Sequence, residues 1–160
     1  MNKKTIQITY TEFAALEELE SADIALIQKA IEIAQKSYSP YSDFPVGAAV
    51  LLDNGAMFGG NNQENIAYPS GTCAERSVLN YVHGNYPDNK IMAIAVTALK
   101  SYAPIPATPC GFCRQVIHEM EQHQGAPIKV ILHNINGATY VFDSALALLP
   151  LAFEAAHLKK

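Results

Sequence analysis

All three cysteines of this chain fall in two short segments, Cys73-Ala74-Glu75 and Pro109-Cys110-Gly111-Phe112-Cys113. Three thiolates fill only part of a tetrahedral zinc ion and leave its fourth position open to water, the layout of a catalytic metal site. Glu75 follows the first of these thiols by two residues and is a carboxylate placed to move protons for that water. A closed structural site would need a histidine as fourth ligand. His118 stands five residues past Cys113, about 140° round a helix from it, and His83, His123, His133 and His157 show no ligand spacing. A redox reading of the Cys-x-x-Cys pair leaves Cys73 and Glu75 without a role.

Both segments stand where helices are expected to start, and exposed backbone N–H groups at such ends favour thiolate over thiol. Three thiolates leave a zinc ion with a net charge of −1. Arg76, next to Glu75, is expected to donate hydrogen bonds to the sulfurs, with Arg114 and Gln115 as further outer partners.

At 160 residues, with 49% hydrophobic and 16% charged side chains, the chain suits one soluble domain, residues 1–160, with one core. No apolar run reaches the roughly 18–20 residues that a membrane span needs. Residues 1–7 lack the apolar core of a secretory signal. An odd cysteine count argues against a disulfide framework and suits a reducing cytoplasm. A net charge of −4 lacks the positive field of nucleic-acid binding and favours a small-molecule partner.

The lead-in over residues 1–20 carries no assignable element. Ile24, Ile27, Ile31 and Ala34 recur at helical spacing, which predicts a helix over 22–37 with Ser21 as N-cap. A buried strand is expected over 46–52, a turn at Asp53-Asn54-Gly55 and a returning strand over 56–61. A helix from Cys73 to about His83, closed by Gly84, is followed by a strand over 91–99. Cys110 opens a further helix ending near Gly125, and strands follow over 128–133 and 139–142. The tail over 144–158 reads as helix interrupted at Pro150. The alternation predicts an α/β protein, a three-layer α/β/α sandwich around a five-stranded mixed sheet.

Four segments in this order carry a family resemblance: Ser39-Pro40-Tyr41-Ser42-Asp43-Phe44-Pro45-Val46-Gly47-Ala48-Ala49, Asn62-Gln63-Glu64-Asn65, Thr72-Cys73-Ala74-Glu75-Arg76, and Pro109-Cys110-Gly111-Phe112-Cys113-Arg114-Gln115-Val116. Over about residues 22–155 the chain resembles the cytidine deaminase family, in its small homotetrameric zinc-dependent branch. The resemblance implies one zinc per subunit on Cys73, Cys110 and Cys113, with Glu75 moving a proton from water to the cytosine ring N3. It implies that Asn62 and Glu64 bind the ribose 3′-OH, that Phe44 packs on the pyrimidine and that the Ala74 N–H binds its carbonyl. Tyr68 and Phe153 become subunit contacts. The implied activity is deamination of cytidine and 2′-deoxycytidine in pyrimidine salvage.

Each of these residues also has a plain structural reading: a first-turn glutamate for Glu75, a polar turn for 62–65, core packing for Phe44, Tyr68 and Phe153. Pro45 and Thr72 depart from the commonest family pattern without removing a chemical group. Two other functions compete, deamination of a modified cytosine nucleoside of the blasticidin type and a non-catalytic, zinc-stabilised nucleoside-binding protein.

Overall fold

Side-chain alternation along the central strands decides the layering. The computed structural model describes residues 1–158. In chain order its main elements are β1 (Thr11–Phe13), α1 (Ser21–Ala34), β2 (Val46–Leu52), β3 (Met57–Asn61), α2 (Ala74–Asn85), β4 (Ile91–Ala98), α3 (Gly111–Gln124), β5 (Lys129–Asn134) and β6 (Thr139–Phe142). Val50, Ile94, Val96, Val130 and Leu132 point to one face of the sheet, where they pack with Val78, Leu79 and Val82 of α2 and Ile117 of α3. Ala49, Ala93, Ala95 and Ile131 point to the other, against Leu26, Ile27 and Ala30 of α1. Helices therefore cover both faces, which is the expected three-layer sandwich.

The small residues on the α1 face let that helix approach closely. A Cβ on Gly47 would lie 2.0 Å from the Ala30 carbonyl oxygen. The Asp23 carboxylate accepts from Lys129 Nζ at 2.8 Å and ties the start of α1 to β5. On the opposite face Glu121 of α3 is buried and accepts from Ile128 N at 2.8 Å, Ala145 N at 2.9 Å and Ser144 Oγ at 2.6 Å.

The sheet runs β1-β6-β5-β4-β2-β3. Its one parallel pair among the described residues is β4 with β5, the two strands that α3 connects. It has six strands where five are expected, because part of the lead-in pairs with β6. Thr11 stands opposite Val141 and Phe13 opposite Thr139, and the Tyr10 ring lies 4.7 Å from that of Tyr140. Three residues are too few for a two-residue period to show in sequence. The tail is also different: 3-10 turns at Ala145–Leu148 and Ala155–His157 replace the expected helix. Pro150 biases the residue before it away from helical backbone, and the Ser144 hydroxyl accepts from Leu146 N to start the first turn.

Helix ends shift by one to three residues. Ser21 is the first residue of α1, behind a Glu20 N-cap, and the helix stops at Ala34. α2 runs through Gly84 to Asn85. α3 closes on Gly125 at φ +62°, the left-handed cap that a glycine accepts without strain. No described helix is long and apolar enough to cross a membrane.

One contact carries the fold into the site. A Cβ on Gly60 of β3 would lie 2.7 Å from Val78 N and 3.0 Å from the Ala74 carbonyl oxygen, so this glycine lets the first turn of α2 sit on the strand. Gly60→Ala is expected to destabilise by about 1–3 kcal/mol in urea denaturation, as overpacking does. Gly84→Ala, with nothing within 4 Å of its Cβ, is expected to stabilise by up to about 1 kcal/mol through helix propensity. Equal effects at the two glycines would contradict the close packing of α2 on β3.

Candidate metal centre and substrate cleft

Two helix N-termini meet at one point. Cys73 is the N-cap of α2 at φ −71°, ψ 154°, and Cys110 is the N-cap of α3 at φ −67°, ψ 164°. Both are extended residues standing ahead of a helix, where unpaired backbone N–H groups gather. Cys113 follows within the first turn of α3. The Sγ atoms of Cys73, Cys110 and Cys113 lie within 4.8 Å of one another. A tetrahedral zinc with Zn–S bonds of about 2.3 Å sets its sulfurs roughly 3.8 Å apart, so the trio needs only a small contraction to hold one ion.

The electrostatics agree with that fit. Burial, then the Glu75 carboxylate and the other two sulfurs, push the Cys113 thiol far up. The backbone N–H of Cys113 pulls the Cys110 thiol down, with burial opposing. Three thiolates this close do not persist without a cation, and a divalent metal that prefers sulfur supplies one. Glu75 is 5% exposed, and burial raises its carboxyl pKa against the opposing effect of its own backbone N–H and of the Cys113 thiol. A carboxyl so placed is suited to exchange protons at the sulfur cluster.

Of the three expected outer partners, Arg76 alone reaches a sulfur among the described hydrogen bonds. Its Nη2 donates to the Gly71 carbonyl at 3.2 Å and to Cys73 Sγ at 3.9 Å. Arg114 instead braces the segment ahead of Cys110, donating to Pro109 O at 2.7 Å, Thr108 Oγ1 at 3.2 Å and Leu148 O at 3.1 Å. Gln115 clamps the tail, donating to Phe153 O at 2.8 Å and accepting from Phe153 N at 3.2 Å. His118 is fully buried with its Nε2 3.9 Å from Glu154, and it is not part of the sulfur group.

A cleft of about 470 Å³ opens beside Cys73, lined by Tyr41, Ser42, Asn62, Gln63, Glu64, Asn65, Tyr68, Gly71, Thr72 and Arg76. Asn62 and Glu64 both face it, and both also build its wall. Asn62 Oδ1 accepts from Ser37 Oγ at 2.6 Å and Val46 N at 2.8 Å, while Nδ2 donates to Phe44 O at 3.1 Å. Glu64 accepts from Tyr41 N at 2.8 Å, Ser42 N at 3.2 Å and the Ser42 hydroxyl. That hydroxyl first, and then the Tyr41 and Ser42 N–H groups, hold the Glu64 carboxyl below the usual range. The loop so held carries Asp43 in the left-handed region, φ +52°, where it pairs with Lys100.

Phe44 is half-buried at the end of this loop and is not among the residues lining the cleft. Ala74 is buried as the first residue of α2. Tyr68 is exposed and meets Tyr41 edge to face at 6.3 Å, and Phe153 is exposed on the tail. Thr72 lines the cleft, as expected of a residue bordering the pocket, and Tyr41 and Ser42 join it with no role expected for them singly; both stand inside the Ser39–Ala49 motif, the signal that could have found them.

The model of the family described as cytidine and deoxycytidylate deaminase zinc-binding region matches residues 20–125. A cytidine deaminase of Halalkalibacterium halodurans is 41% identical over 132 residues, 81% of this chain and 92% of that protein. The crystal structure of cytidine deaminase from Burkholderia pseudomallei superposes with a TM-score of 0.71 at 41% identity, covering 81% of this chain and 97% of that one. The enzyme from Mycobacterium tuberculosis does so with a TM-score of 0.63 at 32% identity, covering 81% and 95%.

Removing the buried ligand tests the metal centre. Cys113→Ser is expected to lower zinc affinity by more than about 100-fold, since loss of an outer partner alone costs 10–100-fold. Metal analysis after dialysis against a competing chelator reads the difference; full zinc retention by the variant would contradict the ligand set.

Proposed function

This chain belongs to the cytidine deaminase family, and we propose that it hydrolyses cytidine and 2′-deoxycytidine to uridine and 2′-deoxyuridine with release of ammonia. The observation that carries this reading is the buried Glu75 carboxyl against a three-sulfur metal group at the edge of a cleft large enough for a nucleoside. Cys73, Cys110 and Cys113 would hold zinc, which would supply a Lewis acid able to make a water acidic at neutral pH. Everything else is done by the chain's own groups.

Glu75 takes a proton from the attacking water and passes it to the pyrimidine N3. The water oxygen bonds to C4, and Glu75 then takes the proton of the new C4 hydroxyl and delivers it to the amine as the C4–N bond breaks and ammonia leaves. Burial of Glu75 raises the cost of its charged form, so it takes up the proton of the water readily. Family resemblance, not the lining of the cleft, assigns the Ala74 N–H at the start of α2 to the pyrimidine carbonyl and Phe44 to the ring.

Asn62 and Glu64 hold the ribose 3′-OH. Their existing bonds leave capacity for it. Asn62 Nδ2 uses one of its two N–H groups on Phe44 O, and a carboxylate with about four acceptor positions receives three donors at Glu64. The ionised Glu64 also repels a sugar phosphate, which favours a free nucleoside over a nucleotide or polynucleotide. Arg76, the one basic residue lining the cleft among the described residues, is already turned to Gly71 and Cys73.

The working form is a single-domain cytoplasmic protein assembled as a homotetramer. Tyr68, Ile66, Leu151 and Phe153 support this, being large apolar side chains left exposed on one subunit.

Ultraviolet spectra of cytidine with the zinc-loaded protein should convert to those of uridine. Glu75→Gln should keep its zinc and lose about 10²–10⁴-fold in kcat, the range of general acid–base catalysis; unchanged turnover would sink this mechanism. Glu64→Gln should raise KM for cytidine and weaken the discrimination against cytidine 5′-phosphate, measured as the ratio of kcat/KM values. An unaltered ratio would remove Glu64 from substrate selection.

A further inference from the structure

Phe112 is the side chain between Cys110 and Cys113 in the first turn of α3, and it is 62% exposed. Its ring has a partner. The guanidinium carbon of Arg76 lies 4.5 Å from the ring centroid. The described hydrogen bonds of that guanidinium both leave from one nitrogen, Nη2, toward Gly71 O and Cys73 Sγ. Its Nε is buried with no hydrogen-bond partner among the described residues. A planar fork held at one corner can swing about that corner. The aromatic face supplies the second restraint, and by covering the guanidinium from water it strengthens a long N–H···S contact.

We infer that Phe112 is a positioning residue, holding the Arg76 guanidinium against Cys73 Sγ so that the negative charge of the three sulfurs is stabilised when zinc is bound. This rests on the zinc reading above. The direction of the effect follows from charge. Three thiolates on a zinc ion leave a net charge of −1, and loading displaces thiol protons. The loaded site is therefore more negative than the metal-free one, and a cation held at its edge favours the loaded state. Without the ring the guanidinium spends less time at the sulfur, the sulfur becomes more electron-rich, and metal leaves more readily.

The test uses the full-length protein loaded with Co²⁺ for spectroscopy and with Zn²⁺ for chelator competition, in the wild type, Phe112→Leu, Phe112→Tyr, Arg76→Gln and the double variant Phe112→Leu/Arg76→Gln. Phe112→Leu should move the thiolate-to-cobalt charge-transfer bands to longer wavelength. It should also speed zinc release about two- to fivefold, the scale of an exposed cation–π contact. Phe112→Tyr, which keeps the aromatic face, should match the wild type in both readouts. In the Arg76→Gln background, Phe112→Leu should add nothing. Unchanged bands and release in Phe112→Leu overturn the proposal. So does an equal effect in the Arg76→Gln background, which would mean that the ring acts through packing or subunit assembly. A wild-type protein that takes up neither metal defeats the zinc reading itself, whereas a wild type that binds both beside a silent Phe112→Leu defeats only the role of the ring.

Discussion

Three sulfurs within 4.8 Å of one another are a concentration of negative charge that the rest of this structure has to hold and neutralise. The sheet does so by bringing the N-termini of α2 and α3 together on one of its faces. Gly60 sets the depth of α2, because only a residue without Cβ admits Val78 N and Ala74 O so close to the strand. Glu121 fixes α3 by accepting from Ile128 at the start of β5 and from Ser144 and Ala145 in the tail. Arg114 ties the Thr108–Pro109 approach to the same tail at Leu148. Residues far apart in sequence thus converge on the placement of Cys73 and Cys110, and Arg76 adds a positive charge at the edge.

The cleft is built with comparable economy. Asn62 and Glu64 fold the Ser39–Phe44 loop through its own backbone, and the same two side chains face the space where a nucleoside fits. A polar turn and the proposed ribose site are therefore one arrangement at these positions. Substitution at either residue affects wall and ligand together, which is why a ratio between two substrates separates the roles better than a single affinity does.

Much of this was legible in the sequence where the signal is local. The helix starts at Cys73 and Cys110, the glycine cap at Gly125 and the sandwich layering all follow from spacing over a few residues. β1 was hidden because its three residues form a strand only through pairing with β6. The apolar tail reads as helical until the backbone restriction before Pro150 and the capping by Ser144 are weighed. Arg114 and Gln115 sit next to Cys113 in sequence, yet adjacent residues on a helix diverge by about 100° and 200°, and their side chains reach the approach loop and the tail. The stack of Arg76 on Phe112 joins two helices, and its geometry is set by tertiary packing alone.

X-ray absorption at the zinc edge of the purified protein counts the ligands of the metal and so separates an open site from a closed one. Three sulfur neighbours at about 2.3 Å and one lighter oxygen or nitrogen neighbour at about 2.0 Å are expected, without the outer-shell scattering of an imidazole ring. A fourth sulfur or a histidine signature would make this a closed structural site and would contradict the reading of Cys73, Cys110, Cys113 and Glu75 as a catalytic centre.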